Sequence, residues 1–510
     1  VTRAEPQPTD PPSIAPAPTE RGDGDGSQPF LREYAVPVGL AVAMLVMGLF
    51  RLGSKAVWQD EAFTWSSATL SDSKFAANLI HHEASLGLFL VLERIWMWFG
   101  TGAFWIRLLS VLFATATIPI LWVLARRLAN ARAATIATLL FVVNATWLSH
   151  VQEARVYPLA VMLGCLSTYW FVREMDEPSR RNRWWWVIAS VLLVLAHVIT
   201  ALVIVAQVLS VLVARRDPQR RRHVVGGIGM MAWVLVPFGL LTLFQPVYSH
   251  TDVRPSVHFL FVTVRDLVGR GSLLLGLELL AACTGLALIV RAWSARRESD
   301  DAWRIALPTL WIGFSTVAFF LYGQLTPAAF QERYMLAFLP GFVILVAMGI
   351  GRMPNRWLQV GAVVVLLALA ARGVDDWYDG EPREAWRSVA HTLERDAHPG
   401  DAIVFEADLS RLPVAYELRD QPATERKLTP AWPGGRPWTS GFTSDDYRFD
   451  TITPPTMARI AADHDRVWVV DVGVHDANTR AAIRTLERTH REVRDLRFDA
   501  KTRLLLYERR

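Results

Sequence analysis

Residues 38–65 read VGLAVAMLVMGLFRLGSKAVWQDEAFTW. An apolar run gives way to a short basic stretch. Two adjacent carboxylates, Asp60 and Glu61, follow among Trp58, Phe63 and Trp65. A run of this kind is long enough to cross a hydrocarbon core of about 30 Å. Tryptophans just past its end suit the depth of a membrane interface. The chain therefore enters a bilayer here and presents acids at the boundary it leaves by.

The rest of the sequence repeats the pattern. Of 510 residues, 52% are hydrophobic and the mean hydropathy is +0.24, which soluble chains of this length seldom reach. The spacing predicts spans near 34–52, 104–125, 133–150, 155–173, 184–197, 199–214, 224–244, 272–291, 305–325, 334–351 and 356–372. That is about 11 spans by the length rule. The stretch 184–214 reads as a tight hairpin of two short helices turning near His197.

Arginines set the orientation. Arg126, Arg127 and Arg132 form one cluster, and Arg173, Arg180, Arg181 and Arg183 the next. Arg215, Arg216 and Arg220 to Arg222 follow, then Arg291, Arg296, Arg297 and Arg304, then Arg352 and Arg356. With these spans every cluster falls on one side, which the positive-inside rule makes the cytoplasm of a bacterial plasma membrane. The loops 53–103, 245–271 and 326–333, the link near 150–155 and everything after 373 then face outward, periplasmic or extracellular. Segment 86–99 is too short and too interrupted to span, and reads as an amphipathic helix in the outer interface.

The net charge of +5 sits in these topogenic clusters, which excludes nucleic-acid binding. Cys165 and Cys283 both fall in apolar runs, so neither a disulfide nor a cysteine metal site is expected. Residues 1–32 are rich in Pro, Asp, Gly and Ser, have no signal-peptide pattern, and read as a disordered cytoplasmic tail. Residues 33–374 form the transmembrane domain. From 375 to 510 the composition is that of a soluble domain. Strands are expected at 401–406, 466–472 and 502–508, helices near 383–397 and 475–490, and a loop over 428–443. The fold class is an α-helical polytopic membrane protein with a small C-terminal α/β domain.

The informative polar residues lie at the outward face. Asp60 and Glu61 are either a solvated loop end or a general base for an acceptor hydroxyl. His81, His82 and Glu83 are either an interfacial cluster or, with Asp60 or Glu61, ligands of a divalent cation. Arg155 breaks the positive-inside pattern. Its partner is Glu153 in the structural reading and a phosphate in the functional one. His150 and Tyr157 lie beside it, and Gln331, Glu332, Arg333 and Tyr334 repeat the arrangement at a later outward helix start. His250, Arg254, His258 and Arg265 occupy another outward loop. Brought together, these groups line one outward cavity suited to an anionic lipid phosphate.

Taken in order, Trp58-x-Asp60-Glu61, the interfacial helix, RLLS (107–110), EARVYPL (153–159) and RYMLAFLP (333–340) resemble the GT-C membrane glycosyltransferases. These use polyprenyl-phosphate-sugar donors. The chain is most similar to glycosyltransferase family 39, the group of protein O-mannosyltransferases and lipid A aminoarabinose transferases. The resemblance covers about 30–375. Where that family has His-Pro-Pro near the interfacial helix, this chain has HHEASLG (81–87).

The resemblance implies that Asp60 is the catalytic base, supported by Glu61, with Glu153 as a further candidate. It implies a donor phosphate held by Arg155 and Arg333, beside Tyr334 and Arg254, and inversion at the anomeric carbon. The acceptor region would include His81, His82 and Glu83. No cofactor is required by it, a divalent cation being the one candidate. The acceptor would be a glycan, a glycolipid or a protein. The arginine-rich, lysine-poor composition fits an actinobacterium, for which mannose is the expected donor sugar and cell-wall arabinose the alternative. A polytopic transporter is the main rival, but transporters place their polar groups at the midplane and often show two related halves.

Overall fold

The computed structural model describes residues 27–212, 218–245, 254–294, 300–326, 330–380, 384–434, 438, 450–473 and 476–510. Most of the 1–32 tail, Arg215, Arg216, His250, Arg296 and Arg297 lie outside these residues.

A hydrocarbon core offers backbone groups no partner, so apolar runs that enter it become helices. Each expected run holds one. The helices are α1 (Ser27–Leu49), α2 (Gln59–Ala68), α3 (Asp72–His81), α4 (Gly87–Trp96), α5 (Ala103–Leu128), α6 (Ala131–Val142), α7 (Ala145–Val151) and α8 (Tyr157–Asp176). They continue as α9 (Arg180–Ala196), α10 (Ala201–Ser210), α11 (Pro218–Leu243), α12 (Val257–Leu267), α13 (Ser272–Ser294), α14 (Asp300–Leu325), α15 (Leu339–Ile350) and α16 (Arg356–Asp379). The chain is a multi-pass membrane protein.

Among the described residues 5 helices are long and apolar enough to cross alone, and up to 8 crossings result if each of three bent pairs is one span. Two further apolar helices, Tyr34–Leu49 and Val198–Ser210, are shorter than this length rule, so length and composition alone do not test the expected 11. Several of the expected runs are broken locally. The run 133–150 is bent by 63° between α6 and α7, where the Asn144 side chain accepts the Trp147 N–H at 2.7 Å and starts a new helix. The 184–214 run breaks at His197 into α9 and α10 through a short 3₁₀ turn, Val198–Thr200. The helix over 86–99 meets α3 at 103°. Trp98 and Phe99 at its end are exposed, as an interfacial helix requires.

Beyond Asp379 the chain forms a five-stranded sheet: β1 (Asp401–Phe405), β2 (Leu428–Trp432), β3 (Arg466–Asp471), β4 (His490–Arg497) and β5 (Arg503–Arg509). The strand order is β2-β1-β3-β5-β4. β2, β1 and β3 run parallel, whereas β5 is antiparallel to both β3 and β4. Side chains alternate along the strands. Ile403, Phe405, Trp468 and Val470 pack against Trp386, Val389 and Leu393 of α17 (Trp386–Asp396) and against α18 (Arg411–Leu418). Ala402, Val404, Val467 and Val469 face the other way, onto Met457 and Ile460 and onto Ala482 and Leu486. Helices therefore cover both faces. β2 and β4 correct the expected pattern: a strand opens the stretch expected as a loop over 428–443, and β4 has no counterpart among the expected strands. They are the two edge strands. Edges tolerate Pro430 in one and the charged run HREVRDLR in the other.

The sheet domain rests on the helical part. Leu409, Leu412 and Tyr416 close an apolar cluster with Val57, Ala62, Trp65 and Ile106. The Tyr416 hydroxyl donates to the Thr101 carbonyl at 3.0 Å, and its ring meets Trp65 edge-on at 5.1 Å.

Candidate active site

α2 begins at Gln59, so Asp60 and Glu61 fall in its first turn, where the helix dipole favours negative charge. Neighbours on a helix point about 100° apart, and the two acids meet different surroundings.

Glu61 points inward and is fully buried. Arg107 of α5 grips it with Nε at 2.7 Å from Oε1 and Nη2 at 2.6 Å from Oε2. The backbone N–H of Ala154 donates to it at 2.9 Å and that of Trp58 at 3.3 Å. Arg107 also donates to the carbonyls of Leu52, Lys55 and Ala56, each at 2.9 Å. That uses all five donors a guanidinium has. The pair fastens the loop after α1 to α2, α5 and the 152–156 turn.

Asp60 keeps 24% of its side chain exposed. Arg333 Nη1 lies 3.0 Å from its Oδ2 and Arg155 Nη2 lies 3.6 Å away. Arg155 Nη1 donates to the Asp60 carbonyl at 3.1 Å and to Thr64 Oγ1 at 3.2 Å. The Ser110 hydroxyl, at the end of RLLS, donates to the Arg155 carbonyl at 3.1 Å and fixes the turn that presents it. Arg333 lies over Trp58 at 5.6 Å and over Tyr334 at 5.7 Å. Beneath the arginines, Tyr157, Tyr334, His150 and His197 form a continuous ring wall.

Two arginines far apart in sequence thus converge on Asp60. Glu153 is buried and lines a small crevice of about 30 Å³ with Glu61, Arg107, Lys55, Gln152 and Trp377, behind the Asp60 cluster. His81, His82 and Glu83 sit at the α3–α4 turn, away from Asp60. Among the described residues no three His, Cys, Asp or Glu side chains are grouped to hold a metal ion. The expected cation set does not assemble. Arg254 is exposed ahead of α12, and Arg265 pairs with its neighbour Asp266 at 2.7 Å, so neither joins the cluster.

One site residue had no signal in the sequence. Glu384, from the start of the C-terminal domain, accepts the Gln59 N–H at 3.1 Å and the Trp386 indole N–H. Burial raises its pKa. It covers the first turn of α2 across a separation of more than three hundred residues, which only the folded chain reveals.

With this geometry in view, the relationship to known proteins can be read. A family model described as dolichyl-phosphate-mannose-protein mannosyltransferase matches residues 85–250, less than half of the chain. The crystal structure of ArnT from Cupriavidus metallidurans bound to undecaprenyl phosphate superposes with a TM-score of 0.58 at 14% identity, covering 94% of this chain and 98% of that one. The fold is GT-C. The resemblance read from the sequence is borne out at that level, and the GT-C likeness extends through the C-terminal domain. AglB, the oligosaccharyltransferase of the archaeon Archaeoglobus fulgidus in complex with an inhibitory peptide and a dolichol-phosphate, matches with a TM-score of 0.51 at 10% identity, covering 90% of this chain and 71% of that one. No curated protein matches in sequence.

Proposed function

We propose that the protein is a membrane glycosyltransferase that moves mannose from a polyprenyl-phosphate donor to an acceptor hydroxyl at the outward face, with inversion. The observation that carries this is the convergence of Arg155 and Arg333 on Asp60 beside an aromatic wall. The matched mannosyltransferase model and the fold shared with ArnT and AglB support the substrate class.

Two guanidiniums occupy one oxygen of the Asp60 carboxylate. A donor phosphate competes for both arginines. As they turn to the phosphate, Asp60 is released to act as the base. The acceptor O–H proton then passes to Asp60, and the acceptor oxygen forms its bond to the anomeric carbon. The bond from that carbon to the phosphate oxygen breaks on the opposite side, and the lipid phosphate leaves with the electron pair. Arg155 and Arg333 hold the charge that develops there, the expected large catalytic contribution. Glu61 serves the reaction by fixing α2. The arginine clusters support a reading in which this face lies outside the cytoplasm.

The test is turnover of labelled polyprenyl-phosphate-mannose by detergent-purified wild type and Asp60→Asn, with membrane extract as acceptor pool. The expected result is transfer by the wild type and a loss of roughly 10²–10⁴-fold in the variant, the usual worth of a general base. Transfer that survives the substitution moves the base elsewhere. Transfer from polyprenyl-phosphate-arabinose alone replaces the sugar.

A further inference from the structure

A second polar cavity lies at the other end of the helix bundle. α5 carries Arg107 near its start and Arg127 near its end, and α8 runs from Tyr157 to Asp176. At about 1.5 Å per residue, Arg107 and Arg127 are about 30 Å apart, a hydrocarbon thickness. The cavity therefore opens at the membrane face opposite Asp60. Its volume is about 500 Å³, and its polar walls are Arg127, Asn130, Asp176, Arg304 and Arg352.

Part of this wall is ordinary helix-end structure. Arg304 donates to the Arg127 carbonyl and to Asp176 Oδ1, the latter at 2.7 Å, and Arg352 donates to the Met348 carbonyl at 3.1 Å. Such contacts cap helix C-termini. They do not account for the whole. Arg127, Arg304 and Arg352 bring three guanidiniums to this wall. Among the described residues the Arg127 side chain makes one hydrogen bond, 3.4 Å to Asp176; it lies over Tyr169 at 5.8 Å and is 30% exposed. A cluster that only tied helix ends together would close on itself, whereas this one surrounds space in the size range of small-ligand pockets. Basic pockets between helices at this level of a membrane protein suit phosphate headgroups. Asn130 Oδ1 accepts the Ala133 N–H at 3.0 Å as the cap of α6 and keeps a second lone pair, which suits a ligand hydroxyl.

We propose that this cavity binds a phosphate ester carrying free hydroxyls. That is the chemistry of a phosphatidylglycerol headgroup and of soluble glycerol phosphate alike. The site is separate from the sugar-transfer site, and its ligand braces α5, α8, α14 and the end of α15. The test follows the melting of the full chain in neutral detergent as short-chain phosphatidylglycerol, phosphatidylcholine of the same chain length, or glycerol 3-phosphate is added. The expected result is a rise in melting temperature with the first or third and none with the second. A rise with phosphatidylglycerol alone assigns a lipid, and one with glycerol 3-phosphate shows that the free ester suffices. Arg127→Gln/Arg352→Gln is expected to need about tenfold more ligand, or beyond, for the same rise. Arg180→Gln/Arg181→Gln, two exposed arginines on the same face, is expected to keep the wild-type response. Should the first variant not fold, Asp176→Asn replaces it and is expected to bind at least as tightly as wild type. No rise with either anion, equal losses in both arginine pairs, or weaker binding by Asp176→Asn overturns the proposal.

Discussion

Glu61 and Asp60 are neighbours on one helix turn, and their surroundings are opposite in kind. Around Glu61 every partner is saturated: one arginine spends all five donors and two backbone N–H groups complete the carboxylate. Around Asp60 two arginines approach one oxygen at unequal distances and the acid stays partly exposed. A saturated buried pair has nothing left to offer a substrate. An exposed acid under two long, rearrangeable cations has partners that a phosphate can take. The difference separates the residue that holds the site from the residue proposed to act in it.

The largest effect is expected from breaking the saturated side. Arg107→Ala leaves a buried carboxylate unpaired and frees three loop carbonyls, a cost of about 3–5 kcal/mol. Thermal unfolding of the detergent-purified protein measures it. Asp60→Asn, the turnover variant, is expected to cost about 1 kcal/mol or less, as part-exposed pairs do. Equal melting temperatures for the two variants would erase the distinction. Next in size, Arg333→Gln is expected to lower kcat by roughly 10²–10³-fold, the worth of one group that stabilises developing charge. Arg155→Gln is expected to do the same and also to lower the melting temperature, because it anchors the Asp60 carbonyl and Thr64. If Arg333→Gln harms stability more than turnover, Arg333 belongs with the clamp.

How much of this was legible follows the range of each interaction. Every apolar run became a helix, because burial in hydrocarbon is written into consecutive residues. The central strands β1, β3 and β5 were legible for the same reason. β2 and β4 were not, since an edge strand needs neither apolar alternation nor freedom from proline. Arg155 and Arg333 stood out as cations on the wrong side of the membrane, and both reach Asp60. His81, His82 and Glu83 stood out by composition alone, and among the described residues they form no group that could hold a metal ion. Arg107 was visible within RLLS, yet its grip on Glu61 spans forty-six residues and has no local signature. Glu384 had none either, because a contact between domains leaves no period in the sequence.

A third acid, buried like Glu61, extends the comparison to one balanced by a proton. Glu406, at the end of β1, is buried against Asp471 at the end of β3. Burial and the hydrogen bond to Asp471 push its pKa up to about 9. In the unfolded chain it titrates near 4.5. Between these values the folded domain binds one more proton than the unfolded chain, so stability falls as pH rises through that window and levels off above it. Glu406→Gln keeps a neutral hydrogen-bonding group and removes the titration. The variant is expected to lose this pH slope and to melt higher than wild type at pH 8, by at most a few kcal/mol. An unchanged slope would mean that Glu406 ionises without cost and that its neighbours, like Arg107 for Glu61, already balance it.

The smallest effect concerns the seam between the two domains. Tyr416 touches the helical part by its ring, edge-on to Trp65, and by its hydroxyl on Thr101. Tyr416→Phe keeps the ring, its contact with Trp65 and its place beneath the Arg419 guanidinium, 3.9 Å away. It removes one hydrogen bond, a loss of about 1 kcal/mol. Melting is expected to fall by that amount, with turnover unchanged, because the ring contacts hold α18 on α2 and α2 is fixed from below by Glu61. A drop in turnover without a matching drop in melting would show that the seam positions Asp60 as much as the buried clamp does. The clear division between a holding side and an acting side of α2 would then have to include a third, overlying support.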